Sequence, residues 1–596
     1  MEFNYKPPST LMSRRGFLMM ALCQALGINI FITMPNNAVT NGAMGHIIAY
    51  TLIYLLIGIP VLYMEFVISQ FTERDCIDVW KVRPCLSHIG YLNIMVQICI
   101  IVNNHTYNSF LLHFLLVSFE SPIPFYSCRG SWNTKHCNLL ANNYSVREDC
   151  LRSKEYFSYC KDFHNTFPEV QYFRYYVIGQ KSGEPIFIAW RMLLSSIVIC
   201  IIVYLGNLKN RSTVQVSAEL FTFVPLIGYA TVMLGSMVQK GIVKYFEEAL
   251  DVDMDIFLEK SRLSGMIQQV LNALRIGSGV PLNLGSLAAF HAPCYSNTVV
   301  VVIVCSTLVV LATCTTAMMY CPYAYRFTIS PSQIMKTELS VMFEKLPRLM
   351  YEYDGRKCWL ILAYGSATLF GMGTNTVLIS HIMDLAIDRS KTVAKYPGLV
   401  RFIGISLLFV LTIPLLGITG LTIVVILRQV SMFITLLLGI AESLVFVVWY
   451  GVGRFAEDVH FMQGIRPGCY MKTVWVLSSV LLSYVLCSEF YRSFTTMTKL
   501  QDYAAMITLL VCIIIVLGIF LVKITVAACK NRFVEEFKLD PTWGPKNLIL
   551  KRSRAMFTAQ AMTKEYMYRQ HQLQAGVMQR QRAANLRERR SSSPPT

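Results

Sequence analysis

Arg275-Ile276-Gly277-Ser278-Gly279-Val280-Pro281 lies in the middle of a long apolar stretch and cannot hold a regular helix. Glycine and proline break the ladder and free backbone N–H and C=O groups. At membrane depth such groups persist only where protein or a water-filled cavity satisfies them. A guanidinium at the same depth costs at least a few kcal/mol unless it faces a cavity or a partner. A broken helix beside a buried charge therefore predicts a solute site.

The surroundings support a membrane setting. Of 596 residues, 54% are hydrophobic and 15% charged, outside the balance of soluble globular domains. Apolar runs long enough for about 30 Å of hydrocarbon fall near 16–37, 45–70, 89–118, 188–206, 214–236, 266–292, 296–322, 357–385, 400–418, 424–452, 472–492 and 504–530. The expectation is an all-α membrane protein with about twelve transmembrane helices. The first run follows Arg14 and Arg15 like a signal peptide, but no Ala-x-Ala-like site follows it, so it reads as a retained span.

The formal net charge of +18 gathers partly in the tail after Lys551. Basic residues flanking spanning helices report orientation and contact with anionic membrane lipid, and they do not require nucleic acid. Lys6, Arg14 and Arg15 place the N-terminus, residues 1–15, in the cytoplasm. An even number of spans returns the basic tail, 531–596, to the same side, where it is free to meet a cytoplasmic protein partner; its SSSPPT end reads as disordered. Residues 16–530 form the twelve-helix membrane domain, and its longest loop, 119–187, falls outside the cell.

That loop holds Cys128, Cys137, Cys150 and Cys160, which allow two bridges in three connectivities, the short Cys128–Cys137 spacing being the favoured pair. It also carries Asn143-Tyr144-Ser145, a glycosylation acceptor, whereas Asn210-Arg211-Ser212 should face the cytoplasm unmodified. The other cysteines form no C-x-x-C pair and read as core residues. His105 and His291 lie in or near apolar helices and are secondary candidates for solute contact. No nucleophile–base motif or metal cluster recommends an enzyme.

Four motifs in order resemble the neurotransmitter:sodium symporter family, the Na+- and Cl−-coupled carriers of amino acids, amines and osmolytes. The fullest is Tyr450-Gly451-Val452-Gly453-Arg454-Phe455 with Asp458, Phe461-Met462, Gly464 and Arg466-Pro467-Gly468. The others are Met64-Glu65 with Ser69-Gln70-Phe71-Thr72 and Arg74, the Cys128–Cys137 loop, and Asp540-Pro541-Thr542-Trp543-Gly544-Pro545. The resemblance implies two inverted five-helix repeats plus two C-terminal helices, with helices 1 and 6 unwound at the midplane around solute. Half-helix N-termini there offer N–H groups to a carboxylate, and freed carbonyls accept a cation. Residues Gly277, Ser278 and Gly279 match the break in helix 6, and Ala25-Leu26-Gly27 matches that in helix 1. The small residues at 25, 27, 277 and 279 are expected to leave room for solute.

Much of the family's ion chemistry is replaced. Its G-N-x-W-R-F-P-Y segment reads Gly27-Ile28-Asn29-Ile30-Phe31-Ile32-Thr33-Met34, so a sodium-ligand Asn becomes Ile28 and the gate Arg becomes Phe31. Ala25 stands where amine carriers place an Asp, which disfavours amines. Asn104 replaces the carboxylate-holding tyrosine, Cys305 replaces an Asn ligand, and Gly371-Met372-Gly373-Thr374 loses an acid while Thr374 keeps a hydroxyl. The resemblance also assigns Ala21 and Gln24 to the ion-site positions. Na+ is a hard cation that needs oxygens, so its sites are weakened and Na+ and Cl− remain only implied; no organic cofactor is expected.

Arg275 falls where the family has an ion-site serine. Its fixed charge is expected to replace the cation or to meet an anionic solute, the alternative being a pair with the structural acid Glu65, matched by Glu442 in the tenth helix. The leading function is secondary transport of a small amino-acid-like or zwitterionic solute across the plasma membrane by alternating access, with sodium coupling weakened or lost. The alternative is a non-transporting family member acting as a receptor-like or scaffold protein.

Overall fold

The computed structural model describes residues 12–135, 137, 166–180, 190–208, 211–250, 259–328, 330–331, 335, 340–495 and 500–557. Asn143, Cys150, Cys160, Asn210, Lys6 and the tail beyond 557 lie outside the described residues.

Among the described residues, eight helices are long and apolar enough to cross a membrane, or nine when a bent pair counts as one span. The bent pair comprises α1 (Arg14–Ala25) and α2 (Asn29–Thr40), 49° apart across the break. The eight are α3 (Ala43–Thr72), α4 (Pro84–Ser118), α6 (Arg211–Met237), α9 (Cys294–Phe327), α11 (Pro397–Leu416), α12 (Thr419–Trp449), α14 (Cys469–Thr495) and α15 (Asp502–Cys529). Three more segments stand where spans are expected and complete the twelve. They are the short α5 (Trp190–Gly206), the broken pair α7 (Lys260–Ala273) and α8 (Val280–Gly285), and the more polar α10 (Arg356–Arg389).

Local chemistry sets the irregular points. Pro60 has no N–H to offer Leu56, and a π turn, Tyr54–Gly58, precedes it in α3. The hydroxyl of Tyr470 donates to the Leu56 carbonyl at 3.2 Å, and Trp475 Nε1 donates to the Pro60 carbonyl at 2.9 Å. Pro35 follows a similar π turn, Asn29–Thr33, just past the break between α1 and α2. Both prolines thus place wider turns where helices must bend.

Helix α10 packs against α4, α6 and α1, while α8 packs against α3, so both breaks face one interior. At the outside, α15 has only 11% of its apolar window buried and presents Ile514, Leu517 and Val522 as a surface suited to hydrocarbon. The expected Cys128–Cys137 disulfide is present.

The end that carries Arg14 and the segment 538–557 is closed by polar contacts. Arg14 donates to Asn297 Oδ1 and Ser296 Oγ at 3.0 Å each, and Arg15 pairs with Glu219 at 2.8 Å. Gln70 Nε2 donates to the carbonyls of Ala289, Phe290 and Ala292, holding the turn after α8. The C-terminal segment lies over this end. Trp543 stacks on Phe446 under Arg74, and Arg554 pairs at 2.6 Å with buried Asp458 on α13 (Val452–Gln463). Removing one partner of a buried pair is costly because the other charge stays behind. Arg554→Ala is therefore expected to speed proteolytic cutting within residues 538–557 several-fold, with the membrane core intact on a gel.

Candidate functional site

The break between α7 and α8 is held by its neighbours rather than left open. Arg275, Gly277 and Gly279 all have positive φ, 60°, 74° and 75°. For an arginine this left-handed conformation costs roughly 1–2 kcal/mol, which marks Arg275 as held there by its surroundings. A Cβ on Gly277 would lie 2.2 Å from the Thr435 carbonyl oxygen on α12, and one on Gly279 would lie 2.8 Å from Asn93 Cβ. These two glycines permit close backbone packing and do not line the cavity described below.

The freed backbone groups have partners. The Gly277 N–H donates to Glu65 Oε1 at 2.7 Å, and Gln97 Nε2 donates to the Ser278 carbonyl at 3.0 Å. Ser278 Oγ donates to the Arg275 carbonyl at 2.5 Å, and Asn283 Oδ1 accepts from the Cys76 N–H at 3.0 Å. Glu65 is thus engaged with the backbone of the break, with the Glu442 carboxyl beside it, and both are fully buried. We expect Glu65→Leu to cost about 1–3 kcal/mol by leaving the Gly277 N–H unsatisfied. Glu65→Gln, which keeps an acceptor, should cost less in thermal unfolding of the purified protein.

Arg275 is 91% buried, its exposure being 9%, and among the described residues it has no ion-pair partner; its Nε has no hydrogen-bond partner. The guanidinium reaches towards the other break. A Cβ built on Gly27 would lie 3.7 Å from Arg275 Nη2 and 3.4 Å from Thr374 Oγ1, so the cation and the hydroxyl flank the same glycine. Thr374 Oγ1 lies 3.3 Å from the Cys23 carbonyl and 3.2 Å from that of Phe370, in reach of donating to either.

Arg275 and Ser278 also line a cavity of about 880 Å³. Asn103 and Asn104 from α4, Asn29 and Asn36 from α2, and Gln268, Gln269 and Asn272 from α7 line it too, together with Arg428 from α12. Phe173 and Phe343 border it near the disulfide loop, so it opens towards the end opposite Arg14 and the segment 538–557. Its size suits a small solute, within the range common for ligand pockets.

The remaining expected site residues fall elsewhere. Ala21, Gln24, Ala25 and Cys305 are buried and do not line the cavity, and Gln24 Oε1 has no hydrogen-bond partner. Phe31 stacks on Phe370 at 4.1 Å and leans on Tyr229 at 4.9 Å, an apolar contact in place of a charged gate. His105 Nε2 lies 3.0 Å from Ser196 Oγ, and His291 Nδ1 donates to the Met462 carbonyl at 2.9 Å, so both serve packing between helices. Arg428 and Tyr107 also line the cavity and were not among the residues expected from sequence. The signal was available for Arg428, a lone arginine inside an apolar span, by the same rule that singled out Arg275.

The sodium:neurotransmitter symporter family matches residues 9–533, and the chain belongs to it. Curated relatives are distant and consistent. The chain is 20% identical over 473 residues to a bovine sodium-dependent dopamine transporter, 78% of this chain and 66% of that one. It is 22% identical over 503 residues to a sodium-dependent nutrient amino acid transporter of Drosophila grimshawi, covering 81% and 76%. It is 21% identical over 575 residues to a sodium- and chloride-dependent glycine transporter of Xenopus laevis, covering 89% and 72%. The relatives are solute transporters and not enzymes.

Proposed function

We propose that this protein is a secondary transporter that moves a small amino-acid-like or zwitterionic solute across the plasma membrane by alternating access, with Arg275 standing in for the sodium charge. The observation that carries this is the position of the Arg275 guanidinium. It is buried, without an ion-pair partner among the described residues, set between the two helix breaks and open to the cavity.

A carboxylate entering the cavity meets that guanidinium, and the amides of Asn104 and Asn272 offer further donors. A sodium ion would meet a poor donor set. The Cys305 thiol and the Ile28 and Ala25 side chains offer it no oxygen. A monovalent cation held about 4–5 Å from a guanidinium would be repelled by roughly 3–4 kcal/mol at an effective dielectric near 20. The closed end at Arg14 and the segment 538–557 and the open end at the disulfide loop are the two gates of such a carrier, facing the cytoplasm and the outside of the cell respectively.

The test is uptake into vesicles reconstituted with the protein, scanned over amino acids and osmolytes in sodium and then in choline. The expected result is flux of a specific solute that is unchanged by the exchange. A loss of tenfold or more in choline contradicts the replacement of sodium by Arg275. Absence of flux for every solute favours a receptor-like or scaffold role.

A further inference from the structure

The cavity that holds Arg275 has a second cation of the same kind. Arg428 on α12 opens into it and is accessible to solvent through it. Among the described residues Arg428 has no ion-pair partner, and the titratable neighbour it faces is Tyr107, a neutral phenol that also lines the cavity. Arg492 and Glu489 line the outer part and pair with each other, Glu489 lying also within 3.3 Å of Ser264 Oγ. The single carboxylate among the described lining residues is therefore committed, and two guanidiniums remain without one. The rest of the polar lining is amide and hydroxyl, among them Asn103, Asn104, Gln268, Gln269, Asn272 and Ser431.

Two guanidiniums lining one cavity, Arg275 buried and Arg428 solvent-accessible and neither in an ion pair among the described residues, repel each other and raise the potential inside it. The low-dielectric walls strengthen that effect. A solute with one carboxylate and one ammonium relieves half of the excess and brings its own cation into a positive field. A dicarboxylate relieves all of it, an acidic amino acid offers one acid to each guanidinium at a net charge of −1, and each acid can accept a charge-assisted pair of hydrogen bonds from a planar fork.

We propose that the solute of this transporter is a small organic anion bearing two acidic groups, a dicarboxylate or an acidic amino acid, with one acid on Arg275 and the second on Arg428. The inference rests on the reading of the cavity as a transport site. It adds Arg428 as the residue that selects the second charge, and Tyr107 as a hydroxyl beside it.

Isosteric pairs test it, because an amide keeps the shape of an acid and removes its charge. The purified full chain is titrated with L-glutamate against L-glutamine and with glutarate against glutaramate. Thermal unfolding is followed at pH 7.5 with ionic strength held by choline methanesulfonate. Bound solute raises the midpoint by mass action. The expected result is that each diacid reaches a given shift at a concentration at least about tenfold lower than its amide. Loss of one charge-assisted contact also predicts that Arg428→Gln weakens the diacids about 10- to 100-fold and leaves the amides unchanged. Arg428→Lys should keep most of the preference. Arg428→Gln that unfolds without ligand at the wild-type midpoint confirms that the fold is intact.

Equal shifts by acid and amide overturn the inference, as does an unchanged preference in Arg428→Gln. A shift of the same size with choline chloride in place of the diacid also overturns it and points to inorganic anions. If no compound shifts the midpoint while vesicle uptake detects another solute, the diacid inference fails and the transport reading stands. If uptake is also absent for every solute, both fail.

Discussion

Arg275→Met is expected to give a protein that resists heat better than the wild type and no longer binds or moves its solute. The two effects have one cause. A guanidinium 91% buried and, among the described residues, without an ion-pair partner costs several kcal/mol of desolvation in the empty protein. Methionine fills a similar volume without that penalty, though it inherits the left-handed backbone at φ 60°. The thermal midpoint should rise by a few degrees, while solute-dependent stabilisation disappears and flux falls at least about 100-fold, as expected when a buried charge partner is removed from a bound anion. Stability given up for a site in this way is a recurrent trade in binding proteins. A variant that is less stable and still transports would show instead that Arg275 serves the fold.

Gly277→Ala is expected to be among the most damaging single methyl groups that the described residues could take. Its Cβ would sit 2.2 Å from the Thr435 carbonyl oxygen and 3.1 Å from the Gly439 nitrogen, both backbone atoms of α12 that cannot swing aside. The positive φ of 74° adds roughly 1 kcal/mol or more of strain for any residue with a Cβ. The combined cost should exceed about 3 kcal/mol, within the range reserved for overpacking and strain. Folded yield should then drop sharply in size-exclusion chromatography. Gly398→Ala, where nothing lies within 4 Å, is the matched control and should be within about 0.5 kcal/mol of wild type.

The fold was largely legible because membrane spans announce themselves by length and apolarity, and the twelve expected segments correspond to helices in the structure. The more polar segments were harder. The Lys260–Ala273 helix begins six residues before the expected span at 266, because its first turn is charged and carries no hydropathy signal. The break at 277–281 was readable from Gly and Pro, whereas that at Ala25–Gly27 was expected from the family resemblance. The unwinding extends back to Leu274, however, since Arg275 itself adopts a left-handed conformation that sequence patterns do not predict for arginine.

The site was legible in part. Asn104, Arg275 and Ser278 do line the cavity, whereas Gly277 and Gly279 look elsewhere, because a glycine's lack of a side chain says that something is close without saying what. The pairing of Arg275 with Glu65, an open alternative from sequence, gives way to Glu65 holding the Gly277 N–H. No spacing rule reveals that, since it depends on where α3 crosses the break. Arg428 was visible as a lone charge in an apolar run and acquires meaning only once the cavity joins it to Arg275.

The claim at the centre of this account is that a side chain has taken the place of a cation. Equilibrium binding of radioactive sodium to the purified full chain tests it without knowledge of the solute. No saturable sodium binding is expected in the millimolar range, with or without added L-glutamate. Saturable binding at millimolar affinity or tighter, displaced by unlabelled sodium and not by choline, would contradict it.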